Sequence, residues 1–172
     1  MRLIFLLFLL LLLVSCVVLD TFPVTAVKGD YEESKKIIAE YCEGRTIWKA
    51  VKGLRRFQSK FEIGNEIALP DVFFKRGYGD CDEFAVANCM IAEYFGYESF
   101  IGYLILNPVI WHYNCIMKIY DKFIVVDCFL ISEAYSSIDE TIDYYRKSWP
   151  NAYYVDIKPF KQFLQDIGII AS

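Results

Sequence analysis

Apolar and polar positions change their period along the chain, and each period predicts an element. Residues 3–14 are an almost unbroken Leu, Phe, Ile and Val run behind Arg2. Residues 17–29 lack helical spacing, contain Pro23 and Gly29, and read as a tether or leading strand. Asp30 with Glu33 forms an N-cap and capping partner for a helix from Tyr31 to about Cys42, which Gly44 stops. Thr46 caps a second helix, where Ile47, Val51, Leu54 and Phe57 make an apolar stripe. Residues 61–69 read as a loop, and Pro70 starts a short helical turn carrying Val72, Phe73 and Phe74.

Gly77-Tyr78-Gly79 then interrupts the chain, and from Cys81 to Phe95 the pattern is helical and almost wholly apolar. Of its polar positions, Asp82, Glu83 and Glu93 share one helical face, so the rest of the circumference is expected to be buried. Gly96 ends this central helix. Residues 98–106, 112–119 and 123–130 are rich in Ile, Val, Tyr and Phe and read as strands. Ser137 with Glu140 caps a helix to about Lys147, Pro150-Asn151 leads into a strand at 152–157, and Pro159 opens a terminal helix closed by Gly168. Helices first, then an antiparallel sheet with helical additions, predict an α+β domain over 30–172.

The amino-terminal run has the charged and apolar regions of a secretory signal. It ends in Leu13-Val14-Ser15-Cys16, similar to a bacterial lipobox, which implies a signal peptide at 1–15, lipid on Cys16 and a tether over 16–29. A small residue before a cysteine favours this over a simple membrane anchor, for which the 17 apolar-rich residues up to Leu19 are short. Either way the domain is expected outside the cytoplasm, held at a membrane on its periplasmic or extracellular side.

Net charge is −4, and loss of Arg2 with the signal makes it −5. Basic residues occur as isolated pairs such as Arg55-Arg56, which argues against nucleic acid as the main partner. With Cys16 and Cys81 set aside, Cys42, Cys89, Cys115 and Cys128 remain as two disulfides or as buried thiols. No Cys-x-x-Cys pair exists, so a structural zinc site is not expected.

Candidate chemistry centres on three residues in order. Cys81 lies at a helix start, the only histidine, His112, follows 31 residues later, and Asp127 comes 15 beyond that. These are the parts of a cysteine nucleophile, its base and an orienting acid. Asp80 as N-cap places Cys81 at the first helical position, where unpaired N–H groups favour thiolate. The flanking carboxylates oppose this, so a neighbouring imidazolium is required. A strand turn at Tyr120-Asp121 sets Asp127 opposite Asn114 and one diagonal from His112. A turn at Asp121-Lys122 sets Asp127 four residues from the partner of His112, beyond hydrogen-bond reach. Both registers keep His112 and Asp127 on one face, against which the Cys81 helix is expected to pack.

Pro70-Asp71-Val72-Phe73, Gly77-Tyr78-Gly79-Asp80-Cys81-Asp82-Glu83-Phe84-Ala85, Phe95-Gly96-Tyr97, His112 and Val125-Val126-Asp127 resemble the transglutaminase-like superfamily of papain-related enzymes. The nearest branch is the bacterial transglutaminase-like cysteine proteinases. The resemblance implies a papain-like α+β fold with Cys81, His112 and Asp127 as catalytic triad and a peptide or protein substrate. It implies no required cofactor, although calcium at Asp80 and Asp82 is a weaker implication drawn from some relatives. The family's aromatic oxyanion residue is missing just before Pro70, leaving Trp48 or Gln58, with the Cys81 backbone N–H, as candidate donors. Two readings from other classes stand beside the enzyme: a binding module whose triad no longer turns over, and a disulfide-stabilised structural lipoprotein.

Overall fold

The computed structural model describes residues 24, 26–60, 66–107, 110–152 and 154–171. The signal segment 1–15, Cys16 and the tether up to Pro23 lie outside the described residues, as do 61–65 of the expected loop. Six α-helices and nine strands are formed among the described residues. In order they are β1 (Ala26–Lys28), α1 (Tyr31–Cys42), α2 (Ile47–Gly53), β2 (Gln58–Ser59), β3 (Glu66–Ala68), α3 (Pro70–Arg76), β4 (Tyr78–Gly79) and α4 (Cys81–Tyr94). The carboxy-terminal half adds β5 (Glu98–Asn107), β6 (Ile110–Ile119), β7 (Lys122–Asp127), β8 (Leu130–Tyr135), α5 (Ile138–Ser148), β9 (Tyr154–Pro159) and α6 (Phe160–Asp166).

Five strands make one antiparallel sheet in the order β8-β7-β6-β5-β9. The short strands pair separately and in parallel, β1 with β3 and β2 with β4. The expected α+β pattern is therefore formed. Two expectations need correction. The strand predicted over 123–130 is two strands, because the chain turns at Cys128-Phe129 with Cys128 at φ 53°. The end of the 61–69 loop is β3.

Helix starts follow the expected caps. The Asp30 side chain accepts from the Glu33 N–H at 2.8 Å, and Ser137 Oγ accepts from the Glu140 N–H at 3.2 Å. The Asp71 carboxylate fastens α3 to the start of α1, accepting from Ser34 Oγ at 3.0 Å and from the Asp30 N–H at 3.2 Å. Gly29 makes this approach possible: it sits at φ 116°, and a Cβ there would lie 2.2 Å from Asp71 Oδ1.

Helix α4 is the centre of the molecule. Every residue from Asp82 to Ala92 is buried, with α1, α2 and α3 on one side and the sheet on the other. Alternation sorts the strands: Ile101, Tyr113, Cys115, Met117 and Val126 face α4, whereas Leu104, Ile116 and Val125 face the opposite layer with Tyr145 of α5. Phe73 and Phe84 are fully buried with ring centroids 5.0 Å apart, locking α3 to α4. Removing either ring would cost about 3–5 kcal/mol.

Candidate active site

Helix α4 opens with a complete capping box. Its first turn rests on Glu83, which is 1% exposed. Glu83 Oε2 accepts from the Asp80 N–H at 2.7 Å, and Oε1 accepts from the Ala68 N–H at 3.2 Å and pairs with Arg76 Nη2 at 2.9 Å. One buried carboxylate thus ties α4 to β3 and α3. The sequence reading placed Asp82 and Glu83 on a solvated face; both are buried, because β3, α3 and β4 close over that turn.

Cys81 occupies the first position of α4, as expected. Burial pushes its thiol well up, and the Asp80 and Asp82 carboxyls add to the effect. The opposing influence is the backbone N–H of Tyr113, aimed at the sulfur. That N–H belongs to the peptide joining His112 to Tyr113, so the thiol lies beside the main chain of the candidate base.

On the sheet, the turn is Tyr120-Asp121 and the rungs run from Ile119↔Lys122 to Cys115↔Val126, the first of the two registers considered. The Asp127 carboxylate therefore reaches the imidazole, with Oδ2 3.0 Å from His112 Nε2. This contact leaves Nδ1 as the nitrogen open to a thiol. The His112 side chain is 17% exposed and that of Asp127 34%, so the pair is accessible but partly shielded. The indole of Trp149, at the end of α5, covers the imidazole with ring centroids 5.3 Å apart and planes tilted by 36°.

One packing expectation is overturned. His112 and Asp127 share the face that carries Asn114 and Val125, which α5 covers through Tyr145, while α4 lies on the other face. Cys81 does not come down onto the dyad's face. It meets the sheet in its plane, at the Tyr113 N–H beyond the last β6–β7 rung. The ladder is open there because the chain leaves β7 at Cys128. Asn88, two turns along α4 from Cys81, holds that departure by donating from Nδ2 to the Cys128 carbonyl at 2.6 Å. Phe84 adds a ring contact to Phe129 at 6.3 Å. The structure thus joins His112 to Asp127 directly and sets Cys81 against the backbone of the first; no thiol–imidazole hydrogen bond is formed among the described residues.

Of the oxyanion candidates, the Cys81 N–H is at the helix start, and Gln58 is exposed on β2, whose register pairs it with Tyr78 just ahead of Cys81. Trp48 packs against the main core from α2. The five described cysteines, Cys42, Cys81, Cys89, Cys115 and Cys128, are all free thiols. From sequence, Trp149 reads with Trp111 and Tyr113 as core or rim rather than as a substrate platform, and Asn88 only as a polar position of the central helix.

Asp80, Asp82 and Glu83 bring carboxylate oxygens within 4.8 Å of one another. Glu83 is committed to Arg76 and two N–H groups. Burial, then Asp80, raises Asp82 above the usual carboxylate range. With Glu83 engaged, the two carboxylates left, Asp80 and Asp82, fall short of the six to eight oxygens calcium takes.

Comparisons with family models, with curated proteins and with solved structures return no match for this chain.

Proposed function

We propose that the protein is a cysteine acyl-transfer enzyme of papain-like, transglutaminase-like architecture, acting as a thiol peptidase or amidase. The observation that carries this reading is the His112–Asp127 contact, set by strand register, with the Cys81 thiol of the central helix against the N–H of Tyr113, the residue next to His112. Asp127 holds the imidazole with Nδ1 free and favours the imidazolium once it forms. His112 takes the thiol proton as the sulfur attacks an amide carbonyl, and returns it to the leaving amine. The product is a thioester; water then cleaves it, releasing the acid and restoring the thiol. An amine in place of water gives transamidation. Trp149 packs on the imidazole ring, with centroids 5.3 Å apart, and limits the positions the ring can take.

The substrate is a peptide or glutamine-type amide, and the enzyme works outside the cytoplasm, lipid-tethered through Cys16, without nucleic acid or a required cofactor. Among the described residues no helix is long and apolar enough to cross a membrane.

A second reading, a binding module without turnover, draws on the desolvated thiol: burial holds Cys81 protonated unless His112 takes its proton. Site-resolved alkylation of Cys81 by iodoacetamide across pH, on residues 17–172 and on His112→Ala, separates the two. Rapid labelling well below the free thiol value of ~8.5, lost in the variant, supports the enzyme. Slow labelling that the variant leaves unchanged refutes it in favour of the binding module.

A further inference from the structure

Cations are unevenly spread over the fold. Arg45, Lys49, Lys52, Arg55, Arg56 and Lys60 are six of the 18 Lys and Arg, and no Asp or Glu lies between Glu43 and Glu62. The rest of the chain holds the other 12 (18 − 6) and all 22 acidic residues. All six are exposed, and none forms an ion pair among the described residues. Ile47, Ala50, Val51, Leu54 and Phe57 turn inward, so Lys49, Lys52 and Arg55 stand on the outer side of α2 and the turn after it. The two ends of that segment meet on one ring: the Arg45 and Arg56 guanidiniums lie 4.5 Å and 5.0 Å from the centroid of Tyr41. Lys60 lies over Tyr78 at 4.5 Å, and its N–H donates to the Gly79 carbonyl at 2.8 Å. Cations that read as isolated pairs in sequence thus form one positive surface, reaching from α2 to β4 just ahead of Cys81. Two guanidiniums held on one ring repel each other, and a negatively charged surface relieves that repulsion.

Resting on the reading of the domain as membrane-tethered, we propose that residues 45–60 dock it on an anionic phospholipid bilayer. Charge complementarity selects the partner. Lipid phosphates attract the six cations, while the remaining, acidic surface is repelled and turned away from the bilayer. Reach favours a membrane over nucleic acid. Seven residues, 17–23, separate Cys16 from the first described residue, Val24. Seven residues span at most about 25 Å when extended, so lipid on Cys16 keeps the domain against the headgroups. Because Lys60 borders Gly79, docking through this surface brings the start of α4 to the membrane side.

The test measures sedimentation of residues 17–172, which include every described residue and carry no lipid, with two kinds of vesicle. One is phosphatidylcholine alone; the other is an equal mixture with phosphatidylglycerol. At ~0.05 M salt the protein is expected to sediment with the mixed vesicles and not with phosphatidylcholine, and ~0.5 M salt is expected to release it. Lys49→Gln, Lys52→Gln and Arg55→Gln together are expected to lower the partition coefficient about hundredfold. Lys122→Gln, Lys147→Gln and Lys161→Gln together change net charge equally on other elements and are expected to leave it nearly unchanged. All six positions are exposed, and Cys81 labelling is expected to be the same in both variants. Absence of binding to the mixed vesicles overturns the proposal, as does binding that the first variant keeps or that both variants lose equally. Tighter binding to a short DNA duplex than to mixed vesicles at equal phosphate also overturns it and assigns the surface to nucleic acid. None of these outcomes touches the acyl-transfer reading, which Cys81 labelling tests, or the tether, which the mass of Cys16 in the full chain tests.

Discussion

His112 Nε2 and Asp127 Oδ2 meet at 3.0 Å across two strands joined by a two-residue turn. The contact fixes which imidazole nitrogen faces the carboxylate and which remains for a proton from sulfur. Its contribution is orientation. Both side chains keep some solvent contact, so as an ion pair it adds about 1 kcal/mol or less to stability.

Asp127→Asn is therefore expected to leave the urea midpoint almost unmoved and to lower His112-dependent labelling of Cys81 at least about tenfold, because the amide no longer stabilises an imidazolium. Parallel urea melts and alkylation rates check this. Full reactivity in the variant would show that Asp127 does not serve the base.

Asp82 gives a pH signature. Its folded value is raised above the ordinary carboxylate value, so the folded state holds a proton that the unfolded state has released. Stability from this group is complete below about pH 4 and is lost as pH rises toward about 10. The slope is at most ~1.4 kcal/mol per pH unit. Asp82→Asn, which cannot ionise, is expected to remove this decline. Unfolding free energies from pH 5 to 9 for both proteins decide it: parallel curves would mean that Asp82 is already ionised in the fold.

Millimolar calcium is expected to change the melting temperature by less than about 1 °C, and chelation to change it as little, because Glu83 is engaged by Arg76 and two N–H groups and leaves only two carboxylates. A rise of several degrees, absent in Asp82→Asn, would assign a cation to the start of α4.

Residues 17–172, denatured without reductant, are expected to titrate as five thiols, corresponding to Cys42, Cys81, Cys89, Cys115 and Cys128. Three would indicate one disulfide and would revive the structural lipoprotein reading.

What was legible in the sequence divides along physical lines. Caps are local, and Asp30, Thr46, Asp80 and Ser137 all start the helices expected of them. The two possible registers followed from period-two geometry, but choosing between them required the turn itself, where Tyr120 takes φ 54°. Residues 123–130 read as one strand because Cys128 and Phe129 are apolar, and the left-handed residue that turns the chain is neither Gly nor Asn. The burial of Asp82 and Glu83 was hidden because β3 and α3 supply the cover from a distant part of the chain. For the same reason sequence put the α4 helix on the dyad's face: strand parity is local, whereas the plane in which a helix end meets an open ladder is tertiary.

The turn between β6 and β7 has a consequence for how this chain can change over generations. Tyr120 is 84% exposed, and its identity is open to drift within the limits of its backbone conformation. Length is a different matter. One added or deleted residue that shifted the register would carry Asp127 through the sheet to the face of α4, away from His112, with Val125 and Val126 exchanging layers. Point substitutions in this turn are thus nearly silent, while insertions and deletions are purged twice over, once for the core and once for the dyad.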